Sequence, residues 1–485
     1  MTLRIHPQNQ KIFEFRGQSR VLLCATEHYG AVINRPFRYE RYLEDAAARG
    51  QTLTRMFTLF RELQTALNPY STCKPESPDF ITPFRRTGPE NALDGEPRYD
   101  LSQWNDEYFE CLHGFLGLAS QHAIVVEVVL FSNTYNDEVW SLNPLHPHNN
   151  VNLDADKPIR WEDYLSGRHE ELLHWQRAHA RRIVEQTNQY DNVIYEICNE
   201  PGAFRSGDLP SGDEMNGWQS RMIELVRELE NDKPNQHLIA GQQAFLMDPE
   251  FEQPADASFA ELDFDIVNVH PLPSMLYGGR RYDMGDFMSK QLRLEDVRDF
   301  ALQTYGETKA VNYDEDNVAT RYLDPEGWTV QRKRAWTTLM SGAHYDMIDF
   351  SILPYLETGT PASQQCIRRW LGYLSTFIHA VDLVRARPLT GWLQRQPDHT
   401  VASVLAVEGE DHCIYLADGR EREVSDCGQP IEGTLCFELP AGVFAVSAYS
   451  PSTGVYSPAL RLSGGDTELE VPVFTHDTLI RVRGA

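Results

Sequence analysis

The stretch that decides the fold is VIYEICNEPG, residues 193–202, in which an apolar run leads directly into Asn199, Glu200 and Pro201. Valine, isoleucine and tyrosine favour a β-strand, and a run that is apolar throughout is typical of a strand buried on both faces. Proline ends such a strand because it has no backbone N–H to donate. Glu200 is therefore either an ordinary strand-end charge that faces solvent or a group held at the rim of a scaffold to transfer a proton.

Apolar runs of the same kind alternate with amphipathic segments along most of the chain. Each apolar run is followed by a helical or connecting segment, and this alternation predicts parallel strands with helices between them. The runs are residues 21–30, 52–60, 124–132, 193–198, 237–242, 264–271, 309–315 and 345–353. Eight such units predict the α/β fold class, as a (β/α)₈ TIM barrel with insertions. A doubly wound open sheet is the alternative, and it is disfavoured because no GxGxxG motif follows an early strand.

From about residue 385 the pattern changes to short period-two or β-branched runs, with Gly and Pro between them and no helical segment. Runs such as CIYLADG and TLCFELPAGVFAVSAYS predict a small C-terminal antiparallel β-sandwich. The first twenty residues resemble a hairpin that caps the barrel floor. We therefore predict a barrel domain with its N-terminal hairpin over residues 1–384 and a β-sandwich domain over residues 385–485.

The composition restricts the partners. The 485 residues carry 71 acidic and 44 basic side chains, a net charge of −27, which disfavours nucleic acid and suits an uncharged ligand. No stretch approaches a membrane span, and the N-terminus lacks the apolar core of a signal peptide. The eight cysteines show no CxxC spacing, so we expect no structural disulfides, a reducing compartment and a cytoplasmic location. A homo-oligomer is left open.

Polar side chains gather where the predicted strands end. In a barrel of this kind the carboxyl ends of the strands open onto the loops that carry function. The residues placed there are Glu27, His28, Arg55, Asn133, Tyr135, Asn199, Glu200, His270, Asp314, Glu315, Asp316, Asp349 and Tyr355. Carboxylates dominate this set. Because strand alternation puts Asp314 and Asp316 on the face opposite Glu315, we expect Glu315 to face the cleft.

A pair of carboxylates across a sugar-sized cleft is what cleavage of a glycosidic bond requires. One must be protonated to donate to the leaving oxygen, and the other must be ionised to attack or stabilise an oxocarbenium-like centre. Glu200 after strand four and Glu315 after strand seven are the candidates for these two roles. Such chemistry needs no metal and no organic cofactor, and its substrate is a carbohydrate.

VIYEICNEPG resembles the strand-four signature of the clan A glycoside hydrolases, and KAVNYDED resembles their strand-seven pattern. The resemblance implies a retaining glycosidase in which Glu200 is the acid/base and Glu315 the nucleophile. It also implies that Arg55 keeps the nucleophile ionised, that His270 lies in the cleft and that Asn199 binds the sugar 2-hydroxyl. The C-terminal segment is similar to the small β domain that follows cellulase-like barrels of the apiosidase type.

The chain departs from the clan pattern at two sugar-binding positions. Strand six ends in His270-Pro271-Leu272 rather than His-x-Tyr, and strand eight offers Phe350 where tryptophan is common. These departures leave the identity of the sugar open. Long insertions after strands two, three and six favour a pocket and exo-action on short glycosides, and the resemblance to the clan implies a β linkage.

Further candidates for substrate binding are residues near the expected rim. Glu27 and His28 either line the sugar subsite or support it from behind. Aromatic rings bind the faces of sugars, although most of them serve packing, and the candidates are Trp104, Tyr135, Trp140, Tyr277 and Trp328.

Two other functions remain open. One is a metal-dependent amidohydrolase-type barrel, for which strand one lacks His-x-His, and the other is a non-catalytic carbohydrate-binding barrel.

Overall fold

The computed structural model describes residues 2–27, 30–59, 80–205, 207–247 and 251–484. Eight parallel strands form its central sheet, and each pairs with the next. The sheet closes where the Thr52 N–H donates to the Leu23 carbonyl at 3.0 Å, between the first and second of them. In chain order, barrel strands one to eight are Leu23–Thr26, Leu53–Phe57, Val125–Ser132, Val193–Asn199, Leu238–Gly241, Ile266–Val269, Ala310–Tyr313 and His344–Ile348. The predicted (β/α)₈ barrel is confirmed.

Helices cover the outside of the barrel. The described residues contain ten α-helices, here α1 to α10, which are Tyr39–Ala48, Asp106–Gln121, Asp137–Trp140, Glu170–Thr187, Gly212–Glu230, Asp256–Ala260, Leu294–Thr304, Pro325–Met340, Pro361–Gln365 and Ile367–Ile378. Local sequence fixes several of their starts. Ser211 and Glu214 form a capping box on α5, and Asp324 caps α8 just before Pro325. Two 3₁₀ turns, Pro147–Asn149 and Trp161–Asp163, lie after barrel strand three.

A small antiparallel sheet closes the barrel floor. Its strands are Arg4–His6, Asn9–Phe15 and Gln18–Arg20, so the predicted hairpin gains a third strand. Phe13 and Phe15 pack against the first residues of the barrel strands, such as Leu53, Val125 and Ala310. The floor is therefore filled with apolar side chains, which leaves the opposite end of the barrel for polar groups.

Short strands also occur in the connections. A hairpin of Phe84–Asn91 and Pro97–Trp104 precedes α2, and Gly202–Ala203 pairs with Phe245–Leu246. A small three-stranded sheet is formed by Gln253–Pro254, Met275–Tyr277 and Arg280–Tyr282. These elements lie in the segments that join the barrel strands to their helices.

The C-terminal region is an antiparallel β domain, as the sequence predicts, and its described strands all belong to one sheet rather than to the two sheets of a sandwich. Its strands are Arg387–Pro388, Thr400–Val407, Asp411–Asp418, Ile431–Ser450, Val455–Tyr456, Leu460–Phe474 and Asp477–Gly484. Alternate residues face different cores, as the two-residue period of a strand requires. Val404 and Ile414 pack inside the β domain with Phe437, whereas Leu405 and Tyr415 pack against the barrel.

Helix α8 joins the two parts. Arg332 donates to both carboxylate oxygens of Asp477, at 2.9 and 2.6 Å, and Lys333 donates to the Asp418 carbonyl at 2.9 Å. Trp336 stacks on Tyr415 with ring centroids 5.5 Å apart. The β domain therefore packs directly on the helix that follows barrel strand seven.

The structure also bears on two expectations from the sequence, about membrane-spanning segments and about the cysteines. Among the described residues, no helix has both the length and the apolar character needed to cross a membrane. Each cysteine in the described part of the chain is a free thiol, while Cys73 lies outside it.

Candidate active site

Two acidic residues at the barrel rim share the same unusual backbone conformation. Glu200 follows barrel strand four with φ of 47°, and Glu315 follows barrel strand seven with φ of 51°. Tyr135, in the loop after barrel strand three, has φ of 59°. The left-handed region is costly for residues with a side chain, and such strain concentrates at functional sites. The backbone turns sharply at these positions and directs the side chains over the end of the barrel.

Glu315 is held by the arginine of barrel strand two. Arg55 is fully buried and makes an ion pair through Nη1 with Glu315 Oε1. The Asn317 amide donates to Glu315 Oε2 at 3.4 Å, and His270 Nδ1 lies 3.9 Å from the same oxygen. The side chain of Glu315 is only 4% exposed. A buried carboxylate next to a guanidinium is stabilised in its ionised form, as a nucleophile requires.

Glu200 has a different set of partners and more access to solvent. The Tyr135 hydroxyl donates to its Oε2 at 2.6 Å, and His270 Nδ1 lies 2.8 Å from its Oε1. Its side chain is 19% exposed. Burial raises the pKa of Glu200, but the hydrogen bond and positive charge of His270 and the Tyr135 hydroxyl together hold it below the usual value. In the resting state a proton shared by Glu200 and His270 therefore lies on the imidazole.

Asn199 connects the two groups of residues. Its Oδ1 accepts from Arg55 Nη2 at 3.1 Å. Its Nδ2 donates to the Ser132 and Tyr135 hydroxyl oxygens, each at 3.1 Å. Asn199 is almost fully buried, so these bonds fix the orientation of its amide. The last residue of barrel strand four is thereby fixed relative to barrel strands two and three.

The two glutamates face each other closely. One oxygen of Glu200, one nitrogen of His270 and one oxygen of Glu315 all lie within 4.8 Å of one another. Such spacing would also suit a metal ion. His270 Nδ1 carries a proton when it bonds an ionised Glu200, so a metal ion would have to displace that proton in order to bind. We therefore assign hydrogen bonds and ion pairs to this cluster.

His270 is buried among acidic groups. Its backbone N–H donates to Gln253 Oε1 at 2.9 Å, and its Nε2 lies 3.4 Å from Asp314 Oδ2, an ion-pair distance. Burial alone lowers the pKa of His270, but the charges of Glu315, Asp314 and Glu200 outweigh it and raise this pKa well above its ordinary value. The imidazole is therefore a cation at neutral pH.

Sequence reasoning missed three buried carboxylates that lie near Asp314, which are Glu127, Glu196 and Asp346. Glu196 accepts two hydrogen bonds of 2.7 Å from Arg55, and Asp314 Oδ2 lies 3.1 Å from Arg55 Nη2. Burial and the charge of Asp314 raise the pKa of Glu127 to about 8, and raise that of Asp346 well above its ordinary value. A detectable signal existed, since VVEVV, IYEIC and HYDMI each place one acid inside an otherwise apolar barrel strand.

The expected orientation of Asp314 is wrong. Strand alternation predicts that it faces away from Glu315, yet it points into the barrel and contacts both Arg55 and His270. The reason is that barrel strand seven ends at Tyr313, and the left-handed backbone of Glu315 breaks the alternation. Asp316 does point away, and it binds the buried Arg334 of α8 at 2.7 and 3.0 Å.

Three other candidates do not belong to this cluster. Glu27 is buried and accepts from the backbone N–H groups of Gly30 and Ala31 at 2.7 and 3.0 Å, so it supports the loop after barrel strand one. Tyr277 packs between Phe259 and Phe300, away from the site. Trp328 is 1% exposed inside α8 and offers no face to a ligand. Both aromatic predictions are wrong because core packing takes up the rings.

The remaining candidates are accounted for as follows. His28 lies outside the described residues. Trp140 is buried against Tyr164, and Trp104 stacks on Phe84 with centroids 5.2 Å apart, so both serve packing. The site therefore unites six of the predicted residues, which are Arg55, Tyr135, Asn199, Glu200, His270 and Glu315.

Comparisons with known proteins give a fold-level result. No protein-family model matches the sequence, and no curated protein matches it. A solved structure described as a glycoside hydrolase matches with a TM-score of 0.61 at 12% identity, over 100% of this chain and 97% of its own. A glycoside hydrolase family 5 structure from Bacteroides vulgatus ATCC 8482 matches with a TM-score of 0.61 at 13% identity, over 100% and 93%. The likeness covers both the barrel and the C-terminal β domain, and at this identity it establishes the fold.

Proposed function

We propose that this protein is a retaining glycoside hydrolase that acts on a carbohydrate substrate. The observation that carries the proposal is the pair of glutamates at the ends of barrel strands four and seven, where one oxygen of Glu200 lies within 4.8 Å of one oxygen of Glu315. Carboxyl groups roughly 5–5.5 Å apart are typical of retaining enzymes, whereas inverting enzymes need about 6.5–9.5 Å to admit a water. The fold shared with solved glycoside hydrolases supports the same conclusion.

In the first step, Glu315 attacks the anomeric carbon while Glu200 protonates the leaving oxygen. Glu315 suits attack because Arg55 keeps it ionised and buried. Glu200 suits proton transfer because it is the more exposed of the two and shares a hydrogen bond of 2.8 Å with the charged His270. Glu200 and His270 titrate as a pair that holds one proton, so the imidazole passes its proton to Glu200, which delivers it to the leaving oxygen and is left ionised for the second step.

In the second step, Glu200 takes a proton from water, and the water oxygen attacks the anomeric carbon of the glycosyl ester. The bond to Glu315 breaks and its carboxylate returns to the ion pair with Arg55. The proton from water then restores the Glu200 and His270 pair. Two inversions at the same carbon leave the anomeric configuration unchanged, and no metal or organic cofactor takes part.

We infer that the substrate is a short glycoside cleaved from its end. Residues of the long loop after barrel strand six reach the site, where Met288 packs with Phe57 and Phe350. The Met288 N–H donates to the Asn317 carbonyl at 3.2 Å, next to Glu315. In this proposal the apolar cluster closes one end of the substrate site. Digests of a defined oligosaccharide ladder are expected to release one terminal sugar at a time, and mid-chain products would contradict exo-action.

A panel of nitrophenyl glycosides tests the proposed reaction. Proton NMR of the first product from a substrate that is cleaved is expected to show the anomer of the substrate, and the opposite anomer would exclude the retaining mechanism. Glu200→Gln and Glu315→Gln are each expected to lower kcat by at least about a thousandfold, since removal of one member of a catalytic pair costs several kcal/mol. Rates unchanged in both variants would favour a non-catalytic carbohydrate-binding barrel.

The matched control for these variants is Glu138→Gln, an exposed glutamate at the start of α3 in the loop after barrel strand three. It carries the same substitution near the same rim without contact to the cluster. Its rate is expected to equal that of the parent protein. Activity that survives dialysis against a chelator would also exclude the amidohydrolase alternative, which depends on a metal ion.

A further inference from the structure

Asp314 occupies a position that links the cationic partners of both glutamates. Its Oδ2 lies 3.1 Å from Arg55 Nη2, 3.4 Å from His270 Nε2 and 3.3 Å from Asn268 Nδ2. Arg55 is the partner of Glu315, and His270 is the partner of Glu200. A single fully buried carboxylate oxygen is therefore shared by the two cations of the site.

We propose that Asp314 is a positioning residue that keeps His270 in its cationic form and fixes it relative to Arg55, so that Glu200 and Glu315 are set for their different tasks. The effect of Asp314 on catalysis rests on the proposed function. The effect of Asp314 on the charge of His270 does not depend on that function. Asp314 acts through His270 and Arg55 and does not itself touch the substrate.

The geometry around His270 requires a positive charge. Both ring nitrogens face carboxylates, with Nδ1 2.8 Å from Glu200 and Nε2 3.4 Å from Asp314. A neutral imidazole carries a proton on only one nitrogen and would direct a lone pair at the other carboxylate. An imidazolium directs an N–H toward each carboxylate, in a hydrogen bond to Glu200 and an ion pair with Asp314. Asp314 is thus the partner that makes the second N–H favourable.

The groups that face His270 come from several elements. Glu200 approaches from barrel strand four, and Asp314 and Glu315 from the end of barrel strand seven. Gln253 binds the backbone, and the ring of Phe245 lies 5.8 Å away. Glu315 is already matched by Arg55 and lies farther from the ring than Asp314 or Glu200 does. All three carboxylates raise the pKa of His270, with Glu315 as the largest single cause, but Asp314 is the one of the three that faces Nε2.

Neighbouring acids leave the negative charge on Asp314. Burial and the charge of Asp314 raise the pKa values of Glu127 and Asp346, so these two groups carry protons. Burial also raises the pKa of Asp314, but Arg55 and His270 together hold it below the usual value. The cluster thus places one anion where both cations reach it.

Asp314→Asn tests the inference because it removes the charge with little change in shape. The titration of His270 is followed by NMR of protein with ¹³C-labelled histidine, with His270→Gln used to assign the signal. In the parent protein the signal is expected to stay that of an imidazolium through pH 7. In Asp314→Asn its midpoint is expected to fall by at least about 1 pH unit, as loss of an adjacent opposite charge predicts. An unmoved midpoint would overturn the proposal.

Asp346→Asn is the matched control, since it makes the same substitution in the same cluster at a group that is already protonated. It is expected to leave the His270 midpoint in place, and an equal fall in both variants would overturn the role of Asp314. If Asp314→Asn does not fold, Asn268→Ala provides a second variant, because it removes the amide that contacts Asp314 Oδ2 at 3.3 Å. Without this donor, Asp314 attracts His270 more strongly, so the midpoint of the His270 titration is expected to rise. An unmoved midpoint would again contradict the proposal.

The NMR titration needs no substrate, so it separates this inference from the proposed function. Where activity is found, the alkaline limb of kcat/KM is expected to move to lower pH in Asp314→Asn, by about the amount that the His270 midpoint moves. A uniform drop in kcat/KM with an unchanged pH profile would indicate a structural role only and would contradict the proposal. An unmeasurable activity with a shifted His270 midpoint would contradict only the proposed function.

Discussion

Arg334 of helix α8 holds Asp316 through two hydrogen bonds, of 2.7 and 3.0 Å, directly after the left-handed turn at Glu315. Arg334 also donates to the Leu292 carbonyl at 2.8 Å. Gln331, one turn earlier on the helix, donates to the Asp316 carbonyl at 3.1 Å. The helix thus fixes the backbone that carries Glu315, and the same helix carries Arg332 and Lys333 to the β domain. The β domain is therefore mechanically linked to the candidate nucleophile.

Arg334→Lys is expected to lower kcat by about ten- to a hundredfold. Lysine keeps the charge but cannot form two parallel bonds to Asp316, and a displacement of a reacting group by about 1 Å can cost a hundredfold in rate. Measurements of kcat and Tm on the same preparation separate catalytic from structural loss. Arg368→Lys is the control, since Arg368 is also buried and pairs with Asp45 and Asp349. Equal losses of kcat in the two variants would contradict a specific effect on Glu315.

Arg55→Gln is expected to destabilise the protein by about 3–5 kcal/mol at neutral pH, because it leaves buried carboxylates without their cation. Glu196 loses two hydrogen bonds, and Glu315 loses its ion pair. Urea unfolding at pH 7 measures the change in the free energy of unfolding.

The double variant Arg55→Gln with Glu196→Gln separates two roles of this arginine. It replaces the Glu196 carboxyl, which has lost both of its donors, by a neutral amide, so part of the lost stability is expected to return. Activity is not expected to return, because Glu315 still lacks the guanidinium. Recovery of activity together with stability would contradict the assignment of Arg55 as the partner of the nucleophile.

The sequence predicts the barrel well because its strands are buried on both faces and therefore apolar throughout. It also places Glu200 and Glu315 at strand ends, where the loops open. The direction of Asp314 could not be predicted, because it depends on the positive φ of Glu315. Tyr277 and Trp328 could not be separated from surface aromatics, since a ring in the core and a ring on the rim look alike in a sequence. Contacts across the barrel, such as Arg55 of strand two with Glu315 after strand seven, need the closed barrel.

Asp477→Asn tests how firmly the β domain is attached. Asp477 is buried, accepts two bonds from Arg332 and accepts another from the Tyr415 hydroxyl at 3.0 Å. The variant leaves a buried guanidinium without its counter-charge and is expected to cost about 3–5 kcal/mol. Differential scanning calorimetry measures the change in Tm. The control is Glu410→Gln, whose ion pair with Arg385 is exposed, and its Tm is expected to stay unchanged.

Glu127→Gln is expected to stabilise the protein near neutral pH. Burial raises the pKa of Glu127 in the folded protein to about 8, from 4.5 as its ordinary value. Between these pH values Glu127 keeps its proton in the folded state and has lost it in the unfolded state. The contribution of Glu127 to the free energy of unfolding is therefore fully present below about pH 4.5 and is lost as the pH rises toward 8. Glutamine stays neutral and still accepts from Asn268, which donates to Glu127 Oε1 at 2.9 Å. At pH 7 the gain in the free energy of unfolding is expected to be roughly 1–3 kcal/mol. Urea unfolding of both proteins at pH 5, 6, 7 and 8 measures this gain. If the difference in the free energy of unfolding between the two proteins does not grow with pH, Glu127 is already ionised in the folded protein.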